Sequence, residues 1–212
     1  MAPLGERRLL VASTNQHKIE EFRAILASAP YQLVSPLDLG LRVRLQETGS
    51  TFAENAILKA MAYADAAHLP VLADDSGLEI DALNGEPGVY SARWAGEEVS
   101  YAERFRILFE RLAAVPAELR TARYRCVIAI AEPAPRGLYD VVDGTFEGQI
   151  AFTPAGSYGF GYDPIFYVPE LNHTVGQMSA EEKHRISHRG KAGAAAAAVL
   201  ANLYDHGDRS SG

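Results

Sequence analysis

A single cysteine, Cys126, excludes any internal disulfide from this sequence. It lies in Arg-Cys-Val-Ile-Ala-Ile, a short apolar run that reads as a buried strand, where a thiol is inert. A reducing, cytoplasmic setting is the expectation. No apolar run reaches membrane-spanning length, and the opening Met1-Ala-Pro-Leu-Gly-Glu-Arg-Arg is too short and polar for a signal peptide, so neither membrane insertion nor export is expected. Positive charge is also scarce. Lys and Arg total 20 against 27 Asp and Glu, a formal charge of −7, which opposes a nucleic-acid polymer as partner. A small polyanion is still allowed, because a local basic pocket or a bound metal can reverse the field within an acidic protein. Internal repeats and linkers are absent as well.

What is present suits one globular domain. Hydrophobic residues make up 48% and charged residues 22% of 212 positions, enough for a sizeable core. Arg8 to Ala12 reads as a strand, followed by a helix from Gln16 to Ala27 with Ile19, Phe22, Ile25 and Leu26 on one face. Tyr31 to Ser35 reads as a short strand. Thr51 to Ala67 is helical, with Phe52, Ala56, Ala60 and Ala64 spaced by four and Thr51 with Glu54 as a capping box. Pro70 to Ala73 and Leu78 to Leu83 read as two strands around an acidic turn, and Tyr101 to Ala114 as a helix. Ala122 to Ala131 and Leu138 to Phe152 are long strands, the second interrupted at Asp143-Gly144. A glycine-rich loop follows, then a helix from Ala180 to Ile186, and an alanine-rich helix to about Tyr204 that suggests close packing against a neighbour. The ends, 1–8 and 205–212, are expected to be flexible.

Five stretches carry candidate chemistry, each with a plain structural alternative. Ser13-Thr14-Asn15-Gln16-His17-Lys18 stands where strand meets helix, so its N–H groups and Lys18 suit a phosphate; a helix cap with a solvated lysine would look the same. The stretch from Glu47 to Lys59 offers an acid in a loop, then Asn55 and Lys59 on one helical face. Asp74-Asp75-Ser76-Gly77 follows an apolar strand, where an open α/β sheet places its ligand, and paired carboxylates suit a magnesium ion shared with phosphate oxygens; it also fits an ordinary turn. Gly159-Phe160-Gly161-Tyr162-Asp163-Pro164 combines an aromatic for stacking with permissive glycines, or forms a simple buried turn. Ser187-His188-Arg189-Gly190 offers donors to a keto oxygen or phosphate, or simply ends a helix.

In this order, the five stretches together resemble the inosine triphosphate pyrophosphatase family, over about Leu9 to Leu203, and Gly85-Glu-Pro-Gly-Val-Tyr-Ser-Ala-Arg93 looks like a further family segment. The resemblance implies an elongated α/β fold, with a long mixed sheet, flanking helices and two lobes around a nucleotide cleft within one domain, and a homodimer. It also implies Mg²⁺-dependent cleavage of ITP, dITP and XTP to monophosphate and pyrophosphate, which cleanses the nucleotide pool. Carried onto this chain, Ser13 to Lys18 and Lys59 would grip the triphosphate, Asp75 would accept a proton and bind metal with Glu47 and Asp74, and Ser76 would touch substrate. Phe160, Gly161, Tyr162 and Asp163 would hold base and ribose, with Lys183, His188 and Arg189 completing base recognition. One departure is Gln46, where some relatives carry a second acid before Glu47. A pyrimidine-specific house-cleaning pyrophosphatase and a nucleotide-binding regulator are the competing readings.

Overall fold

The structure, a computed structural model, describes residues 7–209. In chain order the strands and α-helices are β1 (Arg8–Val11), α1 (Gln16–Ile25), β2 (Gln32–Val34), α2 (Phe52–Ala67), β3 (Val71–Ile80), α3 (Tyr101–Arg111), β4 (Thr121–Glu132), β5 (Gly137–Ile150), β6 (Phe166–Val168), β7 (His173–Thr174), α4 (Ala180–Ile186) and α5 (His188–Arg209). The strands form one sheet in the order β2-β1-β3-β4-β5-β6-β7. It is mixed: β1 runs parallel to β2 and β3, whereas β6 is antiparallel to β5 and β7. The expected mixed α/β class therefore holds. Of the ends expected to be flexible, residues 1–6 and 210–212 lie outside the described residues, while Arg8 opens β1 and α5 runs to Arg209.

The chain divides into two compact units. One comprises the chain up to Asp75, Cys126–Gly144 and the chain from Arg189 onward; the other comprises Ser76–Arg125 and Thr145–His188. The first has its own core, in which Leu9 and Val11 of β1, Phe22 of α1, Leu72 of β3 and Ile128 and Ile130 of β4 pack with Ala192, Ala196 and Leu200 of α5. The small residues of α5 have a packing reason: a Cβ on Gly193 would lie 2.4 Å from Ile25 Cγ2, so this face admits α1 closely. Burial also pushes the Cys126 thiol up to about 12, consistent with an inert core residue. The second unit buries Leu78 and Ile80 of β3, Phe105 and Leu108 of α3, Tyr124 of β4, Phe146 of β5 and Phe166 of β6. In each unit, apolar residues at helical or alternating spacing become the inward face.

Three local expectations are overturned. Asp74-Asp75-Ser76-Gly77 is not a turn between two strands but the middle of the continuous β3. Asp and Asn make turns by bonding their own backbone, and here Asp74 is instead taken by Lys18 and Asp75 by Asn55. Likewise, β5 runs through Asp143-Gly144 without interruption. Ser187-His188-Arg189-Gly190 is no glycine-terminated helix end: Ser187 closes α4 in an extended conformation, and His188 begins α5.

In the glycine-rich loop after β5, Gly156 stands where a side chain does not fit. Gly156 has φ +80°, and a Cβ there would stand 2.0 Å from the Gly176 carbonyl oxygen. Gly156→Ala is expected to cost about 2–5 kcal/mol of stability, from the left-handed backbone and the overlap together. Urea unfolding measures it, and a loss within experimental error of zero would contradict this loop geometry.

Candidate active site

The first unit gathers its charged groups around β3. Asn15 caps α1, its side-chain oxygen accepting the N–H groups of His17 at 3.0 Å and Lys18 at 3.3 Å. The cap fixes the first turn of α1 and so aims Lys18, whose Nζ lies 2.7 Å from Asp74 Oδ2. Lys18 is thus no solvated lysine, while Thr14, Asn15, Gln16 and His17 are exposed and Ser13 is half-buried beside them. Thr51 and Glu54 form the expected capping box at the start of α2. One turn later, Asn55 points inward and is fully buried; its amide donates to Asp75 Oδ2 at 3.2 Å, and its oxygen accepts Gly49 N–H at 2.8 Å. Lys59, a further turn along, pairs with Glu47 at 2.7 Å and donates to the Asp74 main-chain oxygen at 2.9 Å. Glu47, Asp74, Asp75, Lys18 and Lys59 are therefore brought together.

The two adjacent acids differ because their surroundings differ. Burial opposes ionisation of Asp74, but Lys18, Arg189 and Lys59 outweigh it and hold the carboxyl far below the usual range. At Asp75 burial prevails: together with the charge of Glu47 it raises the carboxyl to about 6, against the pull of Lys59, Lys18 and the Asn55 amide. Burial likewise disfavours a charged Lys59, yet Asp74, Glu47 and Asp75 keep its pKa above the ordinary value. Among the described residues, no group of three or more His, Cys, Asp or Glu is placed to hold a metal by itself. Two hard carboxylates, Glu47 and Asp75, with mutual repulsion to relieve, fit a magnesium ion that takes its other ligands from phosphate and water. Asp74, saturated by cations, fits that part less well.

The second unit assembles a different cluster. Asp163 is buried, and its partners among the described residues lie within that unit: Oδ2 accepts Lys183 Nζ at 2.8 Å and Phe160 N–H at 2.9 Å, and Oδ1 accepts the Tyr124 hydroxyl at 3.1 Å. Lys183 Nζ also stands 4.7 Å from the centre of the half-buried Phe160 ring. The loop reaches this shape through glycines with positive φ at 159 and 161, and a Cβ on Gly159 would meet Asp163 Oδ2 at 2.1 Å. Tyr162 turns its side chain into the core, its hydroxyl bonded to the Ser91 carbonyl at 3.0 Å. His188 stacks on Tyr124 with ring centres 4.6 Å apart. Ser76 begins this unit and is half-buried.

Arg189, grouped in sequence with Lys183 and His188, is placed otherwise. It belongs to the first unit, where it pairs with Glu21 and approaches Asp74 at 3.7 Å. Asn55, marked in the sequence only by sharing a face with Lys59, holds Asp75, while nothing local marks Glu21 or Tyr124, whose partners are distant in the chain.

Residues 9–199 match the family model described as the Ham1 family. The chain is 49% identical over 185 residues to a dITP/XTP pyrophosphatase of Exiguobacterium sibiricum, covering 87% of this chain and 92% of that one. Among solved structures it is similar to a HAM1 protein from Coxiella burnetii, with TM-score 0.83 and 41% identity over 92% of this chain and 99% of that one. It is also similar to the Ham1 protein of Staphylococcus aureus, with TM-score 0.82 and 44% identity over 93% of this chain and all of that one, 100%.

Opposite stability effects are expected at the adjacent acids. Asp74→Ala leaves Lys18 and Arg189 facing a lost buried partner and is expected to cost about 3–5 kcal/mol. Asp75, raised in the folded state to about 6 from an ordinary value of 3.8, opposes folding once ionised. In chelator, Asp75→Asn is expected to be more stable than the parent above about pH 6, with the advantage shrinking to nothing below about pH 4, where both states are protonated. Denaturant midpoints across pH check both; a destabilised Asp75→Asn at pH 7.5 would contradict the burial argument.

Proposed function

Because the chain belongs to the Ham1 family, we propose that it hydrolyses dITP, ITP and XTP at the α–β phosphoanhydride bond, releasing a nucleoside monophosphate and pyrophosphate. It is a nucleotide-pool enzyme that removes non-standard purines before a polymerase can use them. The observation that best supports this chemistry is the contrast within Asp74-Asp75. One acid is locked as an anion by cations, and its neighbour is raised to about 6, close to the value that suits proton transfer at neutral pH.

Asp75 accepts the proton of the attacking water, and Asn55 orients its carboxylate by holding Oδ2. Lys18 and Lys59 bear the charge of the triphosphate and the departing pyrophosphate, as positioning and charge stabilisation dominate such reactions. Glu47 and Asp75 would hold Mg²⁺, which supplies Lewis-acid polarisation of the phosphate when bound. Asp74 orients Lys18 and Arg189 and is not assigned to the metal. The exposed side chains of Thr14 to His17, with Ser13 beside them, receive the phosphates at the start of α1, where the helix dipole favours anions.

Base reading falls to Phe160, by stacking, and to Lys183 beside it. A keto oxygen at the purine 6-position accepts from such a donor, whereas the adenine amino group cannot. A buried polar site can enforce such a mismatch by about 10⁴- to 10⁵-fold. Gly161, Asp163, Ser76 and His188 complete this reading. A C₂ homodimer, the commonest soluble oligomer, belongs to the same proposal, as does a cytoplasmic setting for a protein whose single thiol is buried.

Pyrophosphate release from ITP, XTP, ATP, GTP and dUTP with Mg²⁺ tests the reading. Release from ITP and XTP but not from ATP or dUTP, falling by at least about 10²-fold in Asp75→Asn, is expected. Cleavage of dUTP alone, or a fully active Asp75→Asn, would overturn it.

A further inference from the structure

The segment Gly85 to Arg93 takes no part in the chemistry above, yet within it Ser91 is bonded to several separate elements. Ser91 is buried, and its hydroxyl accepts the Leu78 N–H of β3 at 2.9 Å and donates to the Gly88 carbonyl at 2.7 Å. Its carbonyl accepts two donors: the Tyr162 hydroxyl at 3.0 Å and Arg104 Nη1 at 3.4 Å. Arg104 of α3 is itself only 2% exposed, a costly place for a cation. Its Nη2 donates to the Gly96 carbonyl at 2.9 Å, its guanidinium lies 4.9 Å from the centre of the Tyr101 ring, and no carboxylate among the described residues accepts from it. Tyr101 meets Tyr162 edge-on at 5.2 Å, and a Cβ added to Gly161 would sit 3.6 Å from the Tyr101 hydroxyl. The first turn of α3 thus packs beneath the loop that carries Phe160.

We propose that Arg104 is a positioning residue for base recognition: with the Tyr162 hydroxyl it clamps the Ser91 carbonyl, fixing the Gly159–Asp163 loop so that Phe160 and Lys183 meet the purine at one setting. Arg104 touches no substrate and acts through Tyr162. A buried guanidinium that bonds main-chain oxygens of residues 91 and 96 holds the whole connection between β3 and α3 against the loop. This inference rests on the assignment of that loop to the base.

The test compares the parent with Arg104→Met, Arg104→Lys and Tyr162→Phe, which keeps the ring and removes only the hydroxyl. The readouts are kcat and KM for ITP and ATP, the thermal midpoint, and the emission of Trp94, the sole tryptophan, which lies in the clamped segment and bonds Glu86. In Tyr162→Phe and Arg104→Met, the preference for ITP over ATP is expected to fall about three- to tenfold, the worth of one hydrogen bond, chiefly through KM for ITP. Arg104→Lys recovers part of it, and Trp94 emission shifts in Arg104→Met. A lower thermal midpoint with an unchanged ITP to ATP ratio would mean that Arg104 serves stability alone, and would overturn the proposal. An inactive parent would instead refute the assigned activity, and shows itself before any variant is compared.

Discussion

The buried carboxylate of Asp74 is the constraint on which the rest of the site depends. An acid at 2% exposure is tolerated only because cations reach it from other elements, Lys18 from the first turn of α1 and Arg189 from the first turn of α5. Those contacts keep Asp-Asp-Ser-Gly extended as the middle of a strand, so that Asp74 and Asp75 project to opposite sides of it. Asp75 is thereby left in a poorly solvated place with Glu47 nearby and an amide at one oxygen. Two identical side chains, adjacent in sequence, acquire opposite tendencies toward a proton. Environment separates an acid that organises from an acid that can react.

The second unit repeats the device with different neighbours. Asp163 is buried, holds Lys183, and closes its own loop by accepting the Phe160 N–H. The glycine at 159 exists because that oxygen occupies the space a side chain would need. Here the ion pair presents an aromatic face and a donor, where in the first unit it presents two lysines and two acids. On the proposed reading, recognition of a base and handling of phosphate call for these two different surfaces, and each unit offers one built from a buried acid and a lysine.

Much of this was legible in the sequence where the cause is local. The capping box of Thr51 and Glu54, the cap at Asn15, the inward faces of α1 and α2 and the buried strand around Cys126 all follow from spacing and side-chain type. The motif order also led to the family. What escaped reading has distant causes. Asp74-Asp75-Ser76-Gly77 has the composition of a turn, and its extended form goes with partners distant in the chain: β1 and β4 beside it in the sheet, and Lys18 and Asn55 at its two acids. Arg189 sits next to His188 in sequence, but the two residues serve different units. Tyr162, which the resemblance assigns to base and ribose, is buried and has its hydroxyl bonded to the Ser91 carbonyl.

The central claim, water attack at the α-phosphorus, is tested most directly by hydrolysing ITP in water enriched in heavy oxygen and weighing the products. The account predicts inosine monophosphate and pyrophosphate in equal amounts, with the label in the monophosphate. Inosine diphosphate with free phosphate, or label confined to the pyrophosphate, would contradict it.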